Sequence, residues 1–341
     1  MRRICLVPNV SGLGGMVTFR HKLTAGLNRR GIQVSTSLAD GPYQAVLVIG
    51  GSRNLTGLRR VKRQGIRLVQ RLDGINWIQR KRWTGLRHFL RAELGNLLQS
   101  NIRRHLADRI IYQSEFSRTW WEDWYGVPAA PIQVIHNGVD LATYTPEGPS
   151  ELPDGVYRLL VVEGNLGGGY DSGLENALAL AEELKFTHQF PMELMVVGKV
   201  SPRQQEHWNA HARVPIRWAG TVERESIPAI DRSAHLLYAA DLNPACPNAV
   251  IEALACGLPV AAFDTGALGE LVSPNAGCIV PYGGDPWKLE KPDIPSLAIR
   301  SAQVIRNQAS FRSGARAQAE KALDLEEMVD KYLQVLLETT E

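Results

Sequence analysis

Short apolar runs alternate with longer segments of helical periodicity along most of the chain. The first run, residues 4–8, is followed by a glycine-rich turn and by a helix expected over about 17–30, stopped by Gly31. Further strand-like runs stand at 45–49, 67–69, 109–112 and 132–135, with helical or irregular segments between them. After a Pro/Gly-rich stretch at 145–153, read as a linker, a second cycle sets strands at 158–162, 193–197, 216–219, 235–238 and 259–262. Strand alternating with helix specifies a parallel sheet covered on both faces. The expectation is two doubly wound α/β domains, residues 1–150 and 151–322, and a terminal segment, 323–341. The helix of that segment, about 324–337, follows a completed second cycle, so the first domain is a place for it to dock.

A length of 341 residues exceeds what one hydrophobic core organises, and 44% hydrophobic with 21% charged residues excludes a disordered or collagen-like chain. Cys5, Cys246, Cys256 and Cys278 show no Cys-x-x-Cys pair and no His at metal spacing, which points to reduced thiols, no structural zinc and an intracellular setting. No apolar run approaches the roughly 18–20 residues that span a bilayer. The opening Met-Arg-Arg-Ile-Cys-Leu-Val is too short an apolar stretch for a secretory signal. A cytoplasmic protein is expected on these grounds.

Charge divides the chain. Residues 1–150 hold 22 Lys and Arg against 9 Asp and Glu, a balance of +13, whereas 151–341 hold 16 against 26, a balance of −10. Much of the basic excess lies in 78–106, where Trp83, Leu86, Leu90, Leu94, Leu97, Leu98 and Ile102 fall close to one helical stripe. Such a helix either packs its leucines on its own domain and wets its cations, or offers a surface to something anionic, membrane headgroups or a phosphorylated acceptor. No helix-turn-helix, zinc-finger or RNA-recognition signature accompanies the charge, so nucleic acid is not an expected partner.

Three segments can carry chemistry. Ser11-Gly12-Leu13-Gly14-Gly15-Met16 stands between the first strand and the first helix, as a plain tight turn or as a loop whose amides meet an anion. It lacks the last glycine of a dinucleotide fingerprint and any Gly-Lys-Ser/Thr, which disfavours a dehydrogenase or a Walker loop. His136-Asn137-Gly138-Val139-Asp140 follows a strand, where Asn-Gly forms a turn. Pro244 to Val260 reads as a turn, a short helix carrying Glu252, a Gly257 cap and the next strand. A carboxylate on so apolar a helix stays wet, pairs, or accepts hydrogen bonds from a ligand, for which sugar hydroxyls are suited.

Taken in order, these pieces resemble glycosyltransferase family 4 of the GT-B fold over nearly the whole length. The resemblance rests on Gly14-Gly15, on Ser114 to Ser117 with His136 to Asp140, and on Val196-Val197-Gly198 and Trp218 to Val222. It continues through Cys246-Pro247-Asn248, Glu252 to Val260, and Gly266 to Glu270. It implies two Rossmann-like doubly wound domains facing across a cleft. It further implies a nucleotide-diphosphate sugar on the second domain, a polysaccharide or glycolipid precursor as glycan or lipid-linked acceptor on the first, and transfer with retention. Glu252 would hold the donor ribose, Gly198 and Thr221 would border the base, and Asn248, Ala249 and Gly266 would lie near sugar and phosphates. Gly14 and Gly15 would offer amides to the diphosphate. No cofactor and no metal are implied, since protein donors neutralise the leaving group.

The chain departs from the family at three places. Pro244 stands eight residues before Glu252, where the family has an acidic residue. Glu163-Gly164-Asn165-Leu166 lacks the cationic clamp, leaving Asn165 and the nest-like Gly167-Gly168-Gly169 beside the phosphates. A first-domain His is replaced by Arg71-Leu72-Asp73-Gly74, which puts Asp73 in a sugar-orienting or charge-stabilising role, with Arg71 and Asn137 on the acceptor side. The expected activity is glycosyl transfer, with peripheral contact at the inner membrane face. Two alternatives stand: a catalytically impaired relative that binds nucleotide or glycan, and a sugar-nucleotide epimerase of the same fold.

Overall fold

The structure, a computed structural model, describes residues 2–10, 12, 14–166 and 171–337. The chain divides into two compact units; the first ends at Gly138 and resumes at Leu325, and Val139–Asp324 form the second. The Pro/Gly-rich stretch at 145–153 therefore lies inside the second unit, and the division falls twelve residues ahead of residue 150.

The first unit runs β1 (Arg3–Val7), α1 (Gly15–Arg29), β2 (Gln33–Ser35), β3 (Ala45–Ile49), α2 (Leu55–Arg63), β4 (Arg67–Leu72), α3 (Leu86–His105), β5 (Arg109–Tyr112), α4 (Glu115–Tyr125) and β6 (Ile132–Val134). Its parallel sheet has the order β2-β1-β3-β4-β5-β6. The second unit runs β7 (Tyr157–Asn165), α5 (Asp171–Phe186), β8 (Met192–Lys199), α6 (Pro202–His211), β9 (Ile216–Gly220), α7 (Ile227–Arg232), β10 (Leu236–Tyr238), α8 (Asn248–Ala255), β11 (Val260–Phe263), α9 (Leu268–Leu271), β12 (Gly277–Val280), α10 (Ile294–Arg306) and α11 (Gln308–Ala322). Its sheet, also parallel, has the order β12-β11-β10-β7-β8-β9.

Continuous apolar runs make the central strands, because a parallel strand is buried on both faces. Ala45 to Ile49 are fully buried, as are Leu159, Leu160 and Val161. Two strands escape the sequence reading, β2 and β12. Both are short edge strands: β2 is only Gln-Val-Ser, with a single apolar residue, and β12 is Gly-Cys-Ile-Val, apolar but too short to show a period.

The closing helix, α12 (Leu325–Leu337), belongs to the first unit. Its Met328, Val329, Tyr332 and Leu336 share a core with Leu6, Phe19 and Leu47, and the Phe19 and Tyr332 rings stand 5.1 Å apart. Gly26 on α1 lets the two helices meet, since a Cβ there would lie 2.5 Å from a Val329 methyl. Arg30 reinforces the contact through Glu326 at 2.6 Å and Asp330 at 2.7 Å.

Of the two readings of the stripe on α3, the structure departs from the one that packs its leucines inward, and of the stripe Ile102 is fully buried. The helix is buried instead through Ala92, Asn96, Ile102 and Arg103. Trp83, Leu86, Leu90, Leu94 and Leu97 face outward. Asn96 anchors the inward face by accepting at Oδ1 from the Asn76 amide at 3.1 Å and donating to the Asn76 carbonyl at 2.8 Å. Arg103 anchors the far end by donating to the Tyr112 hydroxyl at 2.7 Å. Polar groups with defined partners thus take the inward face that a hydrophobicity pattern assigns to leucine.

Candidate active site

In the second unit the strand order reverses between β7 and β10, and an open parallel sheet binds its ligands beyond the carboxyl ends at such a point. Glu163 near the end of β7 and Asp241 just past β10 meet there. Burial, then the neighbouring Asp241 charge, push the Glu163 carboxyl up to about 8, and burial pushes Asp241 up to about 6. Two carboxyls so close titrate as a pair, and near neutral pH the pair retains a proton. Sequence reasoning singled out neither residue as part of a site.

Gly198, next to last in β8, has φ +137, and a Cβ there would lie 1.8 Å from the Glu163 carbonyl oxygen. Only glycine admits that approach. Gly220 closes β9 with φ +67, leaving Thr221 exposed behind it. Asn165 is the last residue of β7 and pairs in register with Lys199; the Asn165 side chain and residues 167–170 lie outside the described residues. Lys199 is exposed at this edge, a cation where the loop after β7 supplies none. A single lysine after a strand carries no motif, so the sequence reading passed over it.

Helix α8 begins at Asn248 and Ala249, with Pro247 as its N-cap residue and no side-chain cap. Its first amides have no intrahelical acceptor and form the positive end of the helix dipole. Glu252, midway along, is 8% exposed. Burial and the Glu252 charge hold the fully buried Asp231 carboxyl well above the usual carboxylate range, and burial, then the Glu252 charge, also raise Tyr144. Gly266 has φ +60 and sits against Pro244, where a Cβ would lie 2.4 Å from the Pro244 nitrogen. The Ala267 amide donates to the Pro244 carbonyl at 2.8 Å, which fixes the loop that leads into α8.

In the first unit the order reverses between β1 and β3. Gly14, with φ +152, and Gly15 open α1 after β1; the helix start has no side-chain cap and no acid in its first turn. Ser11 and Leu13 of this loop lie outside the described residues. Beside it, a pocket of about 240 Å³ is lined by Met16, Gly50, Gly51, Arg53, Arg91 and Leu94, among others.

Asp73, past β4, is held rigidly. Its carboxylate pairs with Arg71 and accepts from Gln113, and the Trp121 indole donates to its carbonyl at 2.7 Å. Arg71 in turn donates to Asn137 at 2.9 Å and lies 3.8 Å from the centre of the Phe19 ring. Arg71 is 1% exposed and Asn137 4%. Of these two, expected to face an acceptor, Arg71 turns its terminal nitrogens to Asp73 and Asn137 while its Nε is buried without a hydrogen-bond partner, and of the three side chains that of Asp73 alone reaches solvent. Gln113 is the member that the sequence did not announce.

Among the described residues no group of three or more His, Cys, Asp or Glu is clustered to hold a metal ion, and no helix is long and apolar enough to cross a membrane.

Two six-stranded parallel sheets, each with a switch point, define a GT-B protein. Solved structures with this fold include sucrose-phosphate synthase from Thermosynechococcus elongatus, with a TM-score of 0.78 and 16% identity over 98% of either chain. HepE from Anabaena, solved with UDP-glucose, gives a TM-score of 0.70 and 16% identity over 98% of this chain and 100% of that one. WaaG, a glycosyltransferase involved in lipopolysaccharide biosynthesis, gives 0.69 and 14% over 99% and 100%. The description "Glycosyltransferase Family 4" matches residues 52–143, and "Glycosyl transferases group 1" matches 142–291. With these matches contiguous from 52 to 291, the chain carries a family 4 glycosyltransferase domain followed by a group 1 glycosyl transferase domain, and is a glycosyltransferase. No curated protein matches the sequence.

Proposed function

We propose that the chain moves a sugar from a nucleoside-diphosphate donor on the second unit to a glycan or lipid-linked acceptor on the first, with retention at the anomeric carbon. The anomeric C–O bond to the diphosphate breaks as the bond to the acceptor hydroxyl forms, and the hydroxyl proton leaves with the diphosphate. One observation carries this reading: Glu163, Lys199, Asp241, Gly198 and the start of α8 all lie at the carboxyl ends of one sheet, the first three beside its switch point or on the adjoining strand. Lys199 and the α8 amides then take the charge of the leaving diphosphate, which in a dry site is worth several kcal/mol of barrier. Glu252 holds the ribose. The Glu163–Asp241 pair, retaining a proton near neutral pH, supplies the polar contacts to the sugar that Pro244 cannot. Asp73, fixed by Arg71 and Gln113, orients the acceptor side. Transfer proceeds without a divalent ion.

The test is turnover of a panel of nucleotide sugars, UDP-glucose first because HepE was solved with it. We expect slow donor hydrolysis, insensitive to EDTA, lowered about 10- to 100-fold by Lys199→Ala and abolished by Glu252→Ala. A second reading, nucleotide binding without transfer, draws on Pro244, and UDP binding with no turnover across the panel would establish it instead.

A further inference from the structure

The outward face of α3 is anomalous for a water-soluble surface. Leu86, Leu90, Leu94 and Leu97 follow the three- and four-residue spacing of one helical ridge and are 61%, 57%, 47% and 60% exposed, and Trp83, 83% exposed, stands just ahead of the helix and its N-cap Gly85. Exposed apolar side chains are ordinary when scattered, but a contiguous row marks a contact surface. Its charge names the partner. The one acid of α3, Glu93, is paired with Arg80, which leaves Arg87 and Arg91 on the helix, and Lys81 in the segment ahead of it, with no carboxylate partner among the described residues. Apolar residues flanked by cations suit the boundary between acyl chains and anionic headgroups, where burial and charge attraction add.

We propose that α3 docks on an anionic lipid bilayer, its leucines and Trp83 entering the headgroup boundary and Lys81, Arg87 and Arg91 meeting the lipid charges. Leu94 and Arg91 also line the pocket beside Gly50 and Gly51. Resting on the transferase reading in this respect alone, docking brings a lipid-linked acceptor to the mouth of that pocket.

The experiment is co-sedimentation of the full chain with vesicles of phosphatidylcholine alone and of phosphatidylcholine with about one third phosphatidylglycerol. The chain should pellet with the anionic vesicles only, and lose that binding in about 0.5 M salt. Leu86→Ser with Leu90→Ser and Leu97→Ser should weaken it at least about tenfold, as should Lys81→Glu with Arg87→Glu. A blue shift of tryptophan emission on adding vesicles should shrink in Trp83→Phe, a variant that leaves the fold unstrained because the ring is exposed. No pelleting with anionic vesicles, pelleting indifferent to the leucine substitutions, or a self-association of the chain abolished by them in place of vesicle binding would each overturn the proposal. Neither donor nor acceptor is present, so the outcome is independent of whether transfer occurs.

Discussion

Burial pushes His235 down from 6.5 to about 4, helped by the Arg312 and Arg158 charges, and its Nδ1 accepts from the Arg158 amide at 3.0 Å. The imidazole is therefore neutral when folded, and the unfolded chain binds its proton first as pH falls. The stability it contributes is present above about 6.5 and is lost as pH falls towards 4, an effect on the order of 1 kcal/mol after allowance for its partial contact with water. Glu163 and Asp241 act in the opposite direction. Their folded values lie above the ordinary 4.5 and 3.8, so the folded pair holds protons that the unfolded chain has already released. That contribution is complete below about 4 and is lost as pH rises through about 8. Thermal melting against pH should thus fall on both sides; His235→Gln should flatten the acid limb and Glu163→Gln the alkaline one. An unchanged alkaline limb in Glu163→Gln would mean that the two carboxyls do not meet as described.

Elements here depend on glycines at the points where a strand end touches a neighbour. The end of β8 runs against the Glu163 carbonyl at Gly198, so Gly198→Ala forces both a left-handed backbone and a clash. A cost of about 2–4 kcal/mol is expected, read from urea unfolding of the full chain. Gly14 makes the useful contrast. Its φ of +152 is left-handed too, but nothing lies within 4 Å of a Cβ built there. Gly14→Ala should therefore cost the backbone strain alone, about 1–3 kcal/mol, and an effect on donor turnover larger than on melting would indicate that the amides at the start of α1 meet the ligand. Helix α3 shows the same dependence in reverse. Its inward face is set by hydrogen bonds of Asn96 and Arg103, which a reading of hydrophobic spacing assigns to solvent.

At the scale of the molecule, α12 completes the core of a unit from which the whole second unit, Val139–Asp324, separates it in sequence. Leu325, Met328, Val329, Tyr332, Val335 and Leu336 are all buried in the first unit. At about 1.5–3 kcal/mol for each large apolar side chain, their removal is comparable with the whole of the roughly 5–15 kcal/mol that ordinarily holds a domain folded. A chain ending at Asp324 should lose the cooperative unfolding of the first unit while the second, with its own core, still melts. The alternation of apolar runs with helical segments determines, from sequence alone, the fold class and most strands, because parallel strands buried on both faces must be continuously apolar. Ordered motifs such as Asn248 to Val260 likewise disclose the enzyme class. The tertiary structure alone decides which face of α3 is buried, that Arg71 and Asn137 serve Asp73, and that Glu163 meets Asp241 with Lys199 on the adjoining strand. The physical reason is range: hydrophobic spacing is a local property of the chain, whereas the pKa of a carboxyl and the partner of a guanidinium depend on residues that only folding makes neighbours.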